Sequence, residues 1–235
     1  MKTLLDAARQ KKTGLVRKVM SYYDEYDFNL RDYRDRPITL LEIGIQRGGS
    51  LHMWREYFSQ ATIIGVDIDS SCAAFADGDK VRVEIGDQSD RAFLQMLKEK
   101  YGPFDIVIDD GGHTMAQQMV SIEALFPAVT DGGMYVIEDL HTSYWPAFGG
   151  RLGKKRTAVG FLKGLIDQMH YWAIDNPRAS FVKRALKKIQ RMRGDCAVEA
   201  APQNIWQRDV RSIHIADSIC FIRKGKVERN KVVAL

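Results

Sequence analysis

The sequence predicts an α/β fold: a mostly parallel, seven-stranded Rossmann-like sheet with helices on both faces, finished by an antiparallel C-terminal hairpin. Three observations carry this. Short apolar runs alternate regularly with helix-period segments from residue 38 to residue 137, the mark of βαβ units. Those runs are continuously apolar rather than alternating, as strands buried on both faces are. Two further apolar runs near the C-terminus are separated by only two residues, which suits a tight hairpin. With 235 residues, the chain is long enough for one such domain and its core.

The elements follow in order. Residues 1–36 read as an aromatic-rich helical segment containing Tyr22, Tyr23, Tyr26, Phe28 and Tyr33, stopped by Pro37. ITLLEIGI (38–45) is the first strand, 51–58 a helix, and TIIGVDI (62–68) the second strand. VRVEI (81–85) is a third strand, 90–100 a helix and FDIVID (104–109) a fourth strand. Residues 114–126 form a helix with Met119, Ile122, Leu125 and Phe126 on one face, followed by the strand MYVI (134–137). Residues 139–156 read as loop, and 157–172 as a helix carrying Val159, Leu162, Ile166 and Met169 at helical spacing. A basic helix spans 178–193, and the hairpin uses 212–215 and 218–223 around Ala216-Asp217. The chain divides into an N-terminal helical segment (1–36), a core (37–140), a lid or helical insertion (141–209) and a hairpin with tail (210–235), all within one domain.

Composition narrows the class. A 45% hydrophobic and 28% charged chain is an ordinary globular protein, not a disordered or fibrous one. Three cysteines (Cys72, Cys196 and Cys220) with no C-x-x-C pair argue against a disulfide framework or a thiolate zinc site. No run of about 18 apolar residues occurs, and the first residues lack a long apolar stretch of the signal-peptide kind. The expectation is a reduced, cytoplasmic protein. Of the net charge of +5, the segment 178–193 supplies more than the whole, leaving the rest slightly acidic. That is not the distribution of a nucleic-acid binder, and nucleic acid is not an expected partner.

Four constellations carry chemistry. Glu42-Ile43-Gly44-Ile45-Gln46-Arg47-Gly48-Gly49-Ser50 leaves the first strand and enters a helix, where glycines let a ligand approach the backbone and the helix start favours an anionic group. It is not G-x-G-x-x-G, so a dinucleotide cradle is disfavoured. Asp67, ending the second strand, is placed to accept both hydroxyls of a ribose, with Asp69 as its neighbouring alternative. The polar turn Gly86-Asp87-Gln88-Ser89 after the third strand suits an adenine edge. Three such signals on successive strand ends describe a nucleoside site without a strong diphosphate cradle, which fits S-adenosylmethionine better than a dinucleotide.

The sharpest signal is acidic. Asp110 ends the fourth strand and Glu138 with Asp139 ends the fifth, so adjacent parallel strands bring three carboxylates together. Uncompensated carboxylates at close range are costly, and a hard divalent cation with oxygen ligands resolves the repulsion. Magnesium is the expected ion, with manganese or calcium compatible. His113, three residues past Asp110 in a glycine turn, is the candidate general base. Asp109 reads as a neighbour facing the other way.

Together, Glu42-x-Gly44-x-x-x-Gly48-Gly49-Ser50, Asp67, Asp110-Gly-Gly-His113 and Glu138-Asp139 resemble the class I S-adenosylmethionine-dependent O-methyltransferases. The nearer likeness is to the magnesium-dependent sugar O-methyltransferases of the mycinamicin and demethylmacrocin type, with rhamnosyl and polysaccharide relatives. The layout is also similar to catechol O-methyltransferase, where a lysine stands at the place of His113. The resemblance covers about residues 37–148. It implies the seven-stranded methyltransferase sheet, with Glu42, Gly44, Gly48 and Ser50 on the methionine part of the donor. Asp67 would meet the ribose, and Asp87 with Gln88 the adenine. Asp110, which also borders the donor, would bind the metal with Glu138 and Asp139, and His113 would take the proton.

The implied reaction is methylation of a saccharide or glycoside hydroxyl, with His113 and Asp110 as catalytic residues. Behind it stand a catechol-type or other small-molecule O-methyltransferase, an RNA ribose methyltransferase and a catalytically silent donor-binding protein. His141, Tyr144 and Trp145 follow the acids directly and are candidates to contact the sugar, with Gly149-Gly150 as a hinge. Their alternative is an ordinary packed loop. The 178–193 segment, with Phe181, Val182, Ala185, Leu186, Ile189 and Met192 on a stripe, is either a core-packing helix with a solvated basic face or a contact for an anionic membrane or acceptor. Relatives imply a homo-oligomer.

Overall fold

The strands of the computed structural model are β1 (Thr39–Ile43), β2 (Thr62–Asp67), β3 (Val81–Ile85), β4 (Phe104–Asp109), β5 (Val129–Ile137), β6 (Val210–Ala216) and β7 (Ile219–Lys224). The helices are α1 (Leu4–Arg9), α2 (Met20–Leu30), α3 (Gly49–Tyr57), α4 (Arg91–Tyr101), α5 (Met115–Leu125), α6 (Ala158–Met169) and α7 (Ile205–Asp209). The structure describes residues 2–10, 15–171 and 202–226. The seven strands form one sheet in the order β3-β2-β1-β4-β5-β7-β6. β1 to β5 are parallel, and β7 runs antiparallel to both β5 and β6.

Side chains alternate across each strand, so the sheet feeds two cores. Leu40, Ile63, Ile106, Ile108, Val136 and Phe221 pack on one face with Tyr22 and Tyr26 of α2 and Trp54 of α3. Leu41, Ile64, Val107, Tyr135 and Ile222 pack on the other face with Leu94, Ile122 and Leu162 of α4, α5 and α6. Both faces are covered, which is why these strands read as unbroken apolar runs. Helix starts are fixed by side chains that accept from otherwise orphaned amides: Asp90 for α4, Thr114 in a capping box for α5, and Thr157 for α6.

Three expectations need adjustment, and a fourth falls outside the described residues. Residues 1–36 are not one helical stretch: α1 and α2 flank an extended strap over 15–19. β5 begins at Val129, because Val129-Thr130-Asp131-Gly132-Gly133 continues the strand with a register irregularity against β4, despite a turn-like composition. The hairpin turns one residue later than expected, at Asp217-Ser218, where Ser218 takes a φ of 65° and Ala216 pairs with Ile219. The basic segment 178–193 lies outside the described residues. Among the described residues, no helix is long and apolar enough to cross a membrane.

Register decides where the site falls. Ile43 pairs with Val66 on one side and with Asp109 on the other, and Asp109 pairs with Ile137. The carboxyl ends of β2, β1, β4 and β5 therefore lie side by side. The order reverses between β1 and β4, and at such a switch point the connections leave to opposite faces and open a crevice.

Candidate active site

A cavity of about 400 Å³ opens at this switch point. Of the residues expected at the donor, Gly44, Ser50, Asp67, Asp87, Gln88 and Asp110 line it, together with His113 and Asp139. Gly44 has a φ of +89°, and a Cβ there would stand 2.1 Å from the carbonyl oxygen of Asp110. Only a glycine lets the β1 and β4 ends approach this closely. Asp67 accepts backbone hydrogen bonds from Gln46 at 2.8 Å and Asp69 at 3.0 Å, which ties the first two loops together. Asp87 accepts from the backbone and hydroxyl of Ser89.

Three expected donor residues are placed differently. Glu42 is fully buried beneath the cavity wall, accepting from the Ser50 hydroxyl at 2.6 Å. Gly48 starts α3 in a left-handed conformation against the Phe75 ring. Gln88 lines the cavity, but its amide is already committed. It donates to Asp109 at 2.9 Å and Ser121 at 3.0 Å, and accepts from the Gly112 backbone at 2.7 Å. It thus fixes the turn that carries His113. Asp109 is wholly buried and points away from the acids, as expected. That burial pushes its carboxyl upward despite the Gln88 hydrogen bond.

Asp110, His113 and Asp139 converge, with one ligand atom from each within 4.8 Å of the others. His113 Nε2 stands 3.3 Å from Asp139 Oδ2 and 3.8 Å from Asp110 Oδ1. Both His113 and Asp139 take a φ of 55°, so the backbone is bent at the two points that aim these side chains. His113 Nδ1 is buried without a hydrogen-bond partner. The donor set suits a hard cation: two carboxylates plus a third, Glu138, on the next residue. A cradle closed to any Cβ at Gly44 and an acid at Asp67 lining the cavity suit a nucleoside ligand, so the residues present fit both expected groups.

The feature that sequence reading missed is Lys18. Its side chain, 1% exposed, reaches from the strap into the acid cluster. Nζ lies 2.5 Å from Glu138 Oε1, 2.9 Å from Asp110 Oδ2 and 3.7 Å from Glu42 Oε1. It also sits 5.7 Å from the ring centroids of both Tyr26 and Trp54. Burial opposes its charge, but the three carboxylates outweigh that and hold the ammonium well above its ordinary range. Tyr26 donates to Glu138 at 2.5 Å and Tyr22 to Asp139 at 2.9 Å. Even so, burial pushes the Asp110 carboxyl up to about 6, with Lys18 pulling the other way. Burial and the Asp110 charge push Glu138 to about 7 against the same pull. The i, i+4 spacing of Lys18, Tyr22 and Tyr26 was the available signal, and it reads equally well as an amphipathic face.

The loop after the acids is closed on itself. Arg151 donates to the Ser143 carbonyl and Gly150 to that of Trp145, each at 2.9 Å. His141 is held by Ser218 of the hairpin turn, at 2.5 Å, and its ring lies 4.6 Å from that of Trp145. Tyr144 and Trp145 are 44% and 49% exposed and do not line the 400 Å³ cavity. A second, more open cavity of about 430 Å³ lies on the other side of the strap, bounded by Arg17, Lys18, Tyr22, Asp110, Glu138 and Asp139.

No protein-family model matches the chain. It is 36% identical over 212 residues to the mycinamicin VI 2''-O-methyltransferase of Micromonospora griseorubida, covering 86% of this chain and 47% of that protein. It is 36% identical over 214 residues to the 8-demethyl-8-alpha-L-rhamnosyl tetracenomycin-C 2'-O-methyltransferase of Streptomyces olivaceus, covering 88% and 50%. The solved MycE methyltransferase from the mycinamycin biosynthetic pathway, in complex with magnesium, SAH and mycinamycin VI, superposes with a TM-score of 0.78 at 32% identity. That match covers 98% of this chain and 54% of that one. Over most of its length the chain is similar in sequence and fold to these methyltransferases. Its curated relatives are sugar O-methyltransferases, and it spans about half the length of those it matches.

Proposed function

We propose that this protein is a divalent-metal-dependent O-methyltransferase that moves a methyl group from S-adenosylmethionine to a hydroxyl of a saccharide or glycoside. The observation that carries the reading is the convergence of Asp110, His113 and Asp139 at the inner wall of the switch-point cavity. The sugar O-methyltransferase relatives support the acceptor class.

In this reading Gly44 and Ser50 border the methionine part of the donor, and Asp67 accepts from the ribose hydroxyls. Asp87 and the Gln88 backbone flank the adenine. Asp110, Glu138 and Asp139 hold the metal through oxygen, which leaves the His113 nitrogen free. When bound, the donor supplies an electrophilic methyl group and the metal a Lewis acid that acidifies a weakly acidic sugar hydroxyl. His113 Nε2 would accept the hydroxyl proton as the hydroxyl oxygen takes the methyl group and the donor's S–CH3 bond breaks, leaving S-adenosylhomocysteine, and Asp139, 3.3 Å away, would stabilise the resulting imidazolium. The two cavities meet at Asp110 and Asp139, so donor and acceptor approach from opposite sides of the strap. His141, Tyr144 and Trp145 form the outer rim for the sugar, the exposed rings of Tyr144 and Trp145 offering a stacking face. The protein works in the cytoplasm as a homo-oligomer.

Calorimetry tests this directly. S-adenosylhomocysteine should bind with micromolar affinity, and methylation of a panel of rhamnosides and other glycosides should stop with chelator and return with magnesium. Absence of donor binding refutes the nucleoside site. Turnover that survives chelation refutes the metal role.

A further inference from the structure

Lys18 places a cation where the proposed function needs a metal. Its ammonium holds Asp110 Oδ2 at 2.9 Å and Glu138 Oε1 at 2.5 Å, two of the three carboxylates assigned to the divalent ion. An ammonium and a dication sharing these oxygens would face each other at a few ångströms beside the buried Glu138, where like charges repel. They cannot both be held at full strength.

The strap that carries Lys18 has few polar ties to the rest of the fold. Among the described residues, the backbone of residues 15–18 makes no hydrogen bond to other backbone groups. The strap is held by the Lys18 ion pairs, by the packing of Val16 on the core and by close backbone contact of Leu15 and Val16 with Gly49 of α3, while the Leu15 side chain is 47% exposed. It also forms the wall between the two cavities: Arg17 and Lys18 line both. Losing the Lys18 contacts removes the main polar tie of that wall.

We infer that Lys18 is a resident counter-ion of the acid cluster, that a divalent cation displaces it, and that this displacement frees the strap between the donor and acceptor cavities. The inference rests on the metal reading above and adds an order to it: metal first, then an open acceptor path. Loss of the Lys18 contacts is the price of metal entry, so the strap lowers metal affinity in exchange for coupling it to access.

The test uses the wild-type chain and an amine-reactive ester, with modification of each lysine read by mass spectrometry and the exposed Lys163 as internal reference. With chelator, Lys18 should be almost unmodified. Saturating magnesium should raise its modification by about tenfold or more, the range of an ordinary coupling between sites. Magnesium binding is followed separately by calorimetry. If magnesium binds and Lys18 stays protected, Lys18 is a permanent part of the site and the displacement is wrong, while the metal reading stands. If magnesium does not bind at all, the metal reading falls and takes the displacement with it. If Lys18 is modified freely with chelator present, the ion pairs are not formed and the inference is likewise overturned. Lys18→Met gives a second measure: magnesium should bind it more tightly than wild type, and equal or weaker binding in a folded variant contradicts competition.

Discussion

Replacing Gly44 by alanine should unfold the site from its centre, and a matched control isolates why. Gly44 has a φ of +89°, and its added Cβ would fall 2.1 Å from Asp110 O, 2.6 Å from Asp110 C and 2.7 Å from Gly111 Cα. All three are backbone atoms, so no side chain can rotate away. Gly132 has nearly the same φ, +85°, with nothing within 4 Å of its Cβ position. Both substitutions carry a conformational cost of about 1–3 kcal/mol. Gly44→Ala adds an overpacking cost of about 1–3 kcal/mol. For a chain of this size 1 kcal/mol moves the melting temperature by about 2–4 °C, so Gly44→Ala should melt roughly 2–12 °C below Gly132→Ala. Because the clash is with Asp110 itself, Gly44→Ala should also weaken S-adenosylhomocysteine and magnesium binding, whereas Gly132→Ala should leave both unchanged. Differential scanning calorimetry and titration calorimetry read the two effects. Equal melting temperatures and equal donor affinities in the two variants would refute the close approach of β1 and β4.

Three further outcomes are expected. His113→Ala should keep S-adenosylhomocysteine affinity while lowering kcat by about 10²–10⁴-fold, as loss of a general base does; near-wild-type turnover would move the base elsewhere, with His141 next to test. Trp145→Ala, at a half-exposed position, should change stability by less than about 0.5 kcal/mol yet raise KM for the glycoside; an unchanged KM removes Trp145 from the acceptor rim. Burial works against the Glu84 carboxylate, but hydrogen bonds from Lys100 at 2.8 Å and from Tyr101 outweigh it and hold the carboxyl below its usual range. A depressed folded-state pKa stabilises the protein above the unfolded-state value and loses that contribution as pH falls through the folded one. The stability gap between wild type and Glu84→Gln should therefore shrink on acidification below about pH 4.3, the unperturbed value, and a pH-independent gap in urea melts would contradict the assignment.

The sheet was legible because its strands are covered on both faces and therefore spell themselves as apolar runs, with a glycine or acid where each emerges at the crevice. Asp67, Asp110 and Glu138 could be placed on the strand ends for that reason alone. The start of β5 was not legible, because Thr130-Asp131-Gly132-Gly133 has the composition of a turn and is carried in the strand between the Val129–Phe104 and Met134–Ile106 pairs with β4. Gln88 was legible as a cavity residue but not as a brace, since its partners Asp109, Gly112 and Ser121 lie 21, 24 and 33 positions away. Lys18 was hidden for the same reason in stronger form: it meets Asp110 and Glu138 across 92 and 120 positions.

That hidden lysine changes the charge argument without cancelling it. From sequence, three converging carboxylates call for a cation, and the structure shows the chain bringing one of its own. One ammonium against Asp110, Glu138 and Asp139 leaves a formal excess of negative charge, and Glu42 at 3.7 Å adds to it. Burial pushes the Asp110 and Glu138 carboxyls up to about 6 and about 7, and the contact with Lys18 pulls both the other way. Lys18 ties Asp110 to Glu138, while Asp139 is left to the Tyr22 hydroxyl and His113. The remaining formal negative charge is what a dication would answer in the displacement proposed above, so tighter magnesium binding to Lys18→Met is the outcome that decides whether ammonium and metal compete for the same oxygens.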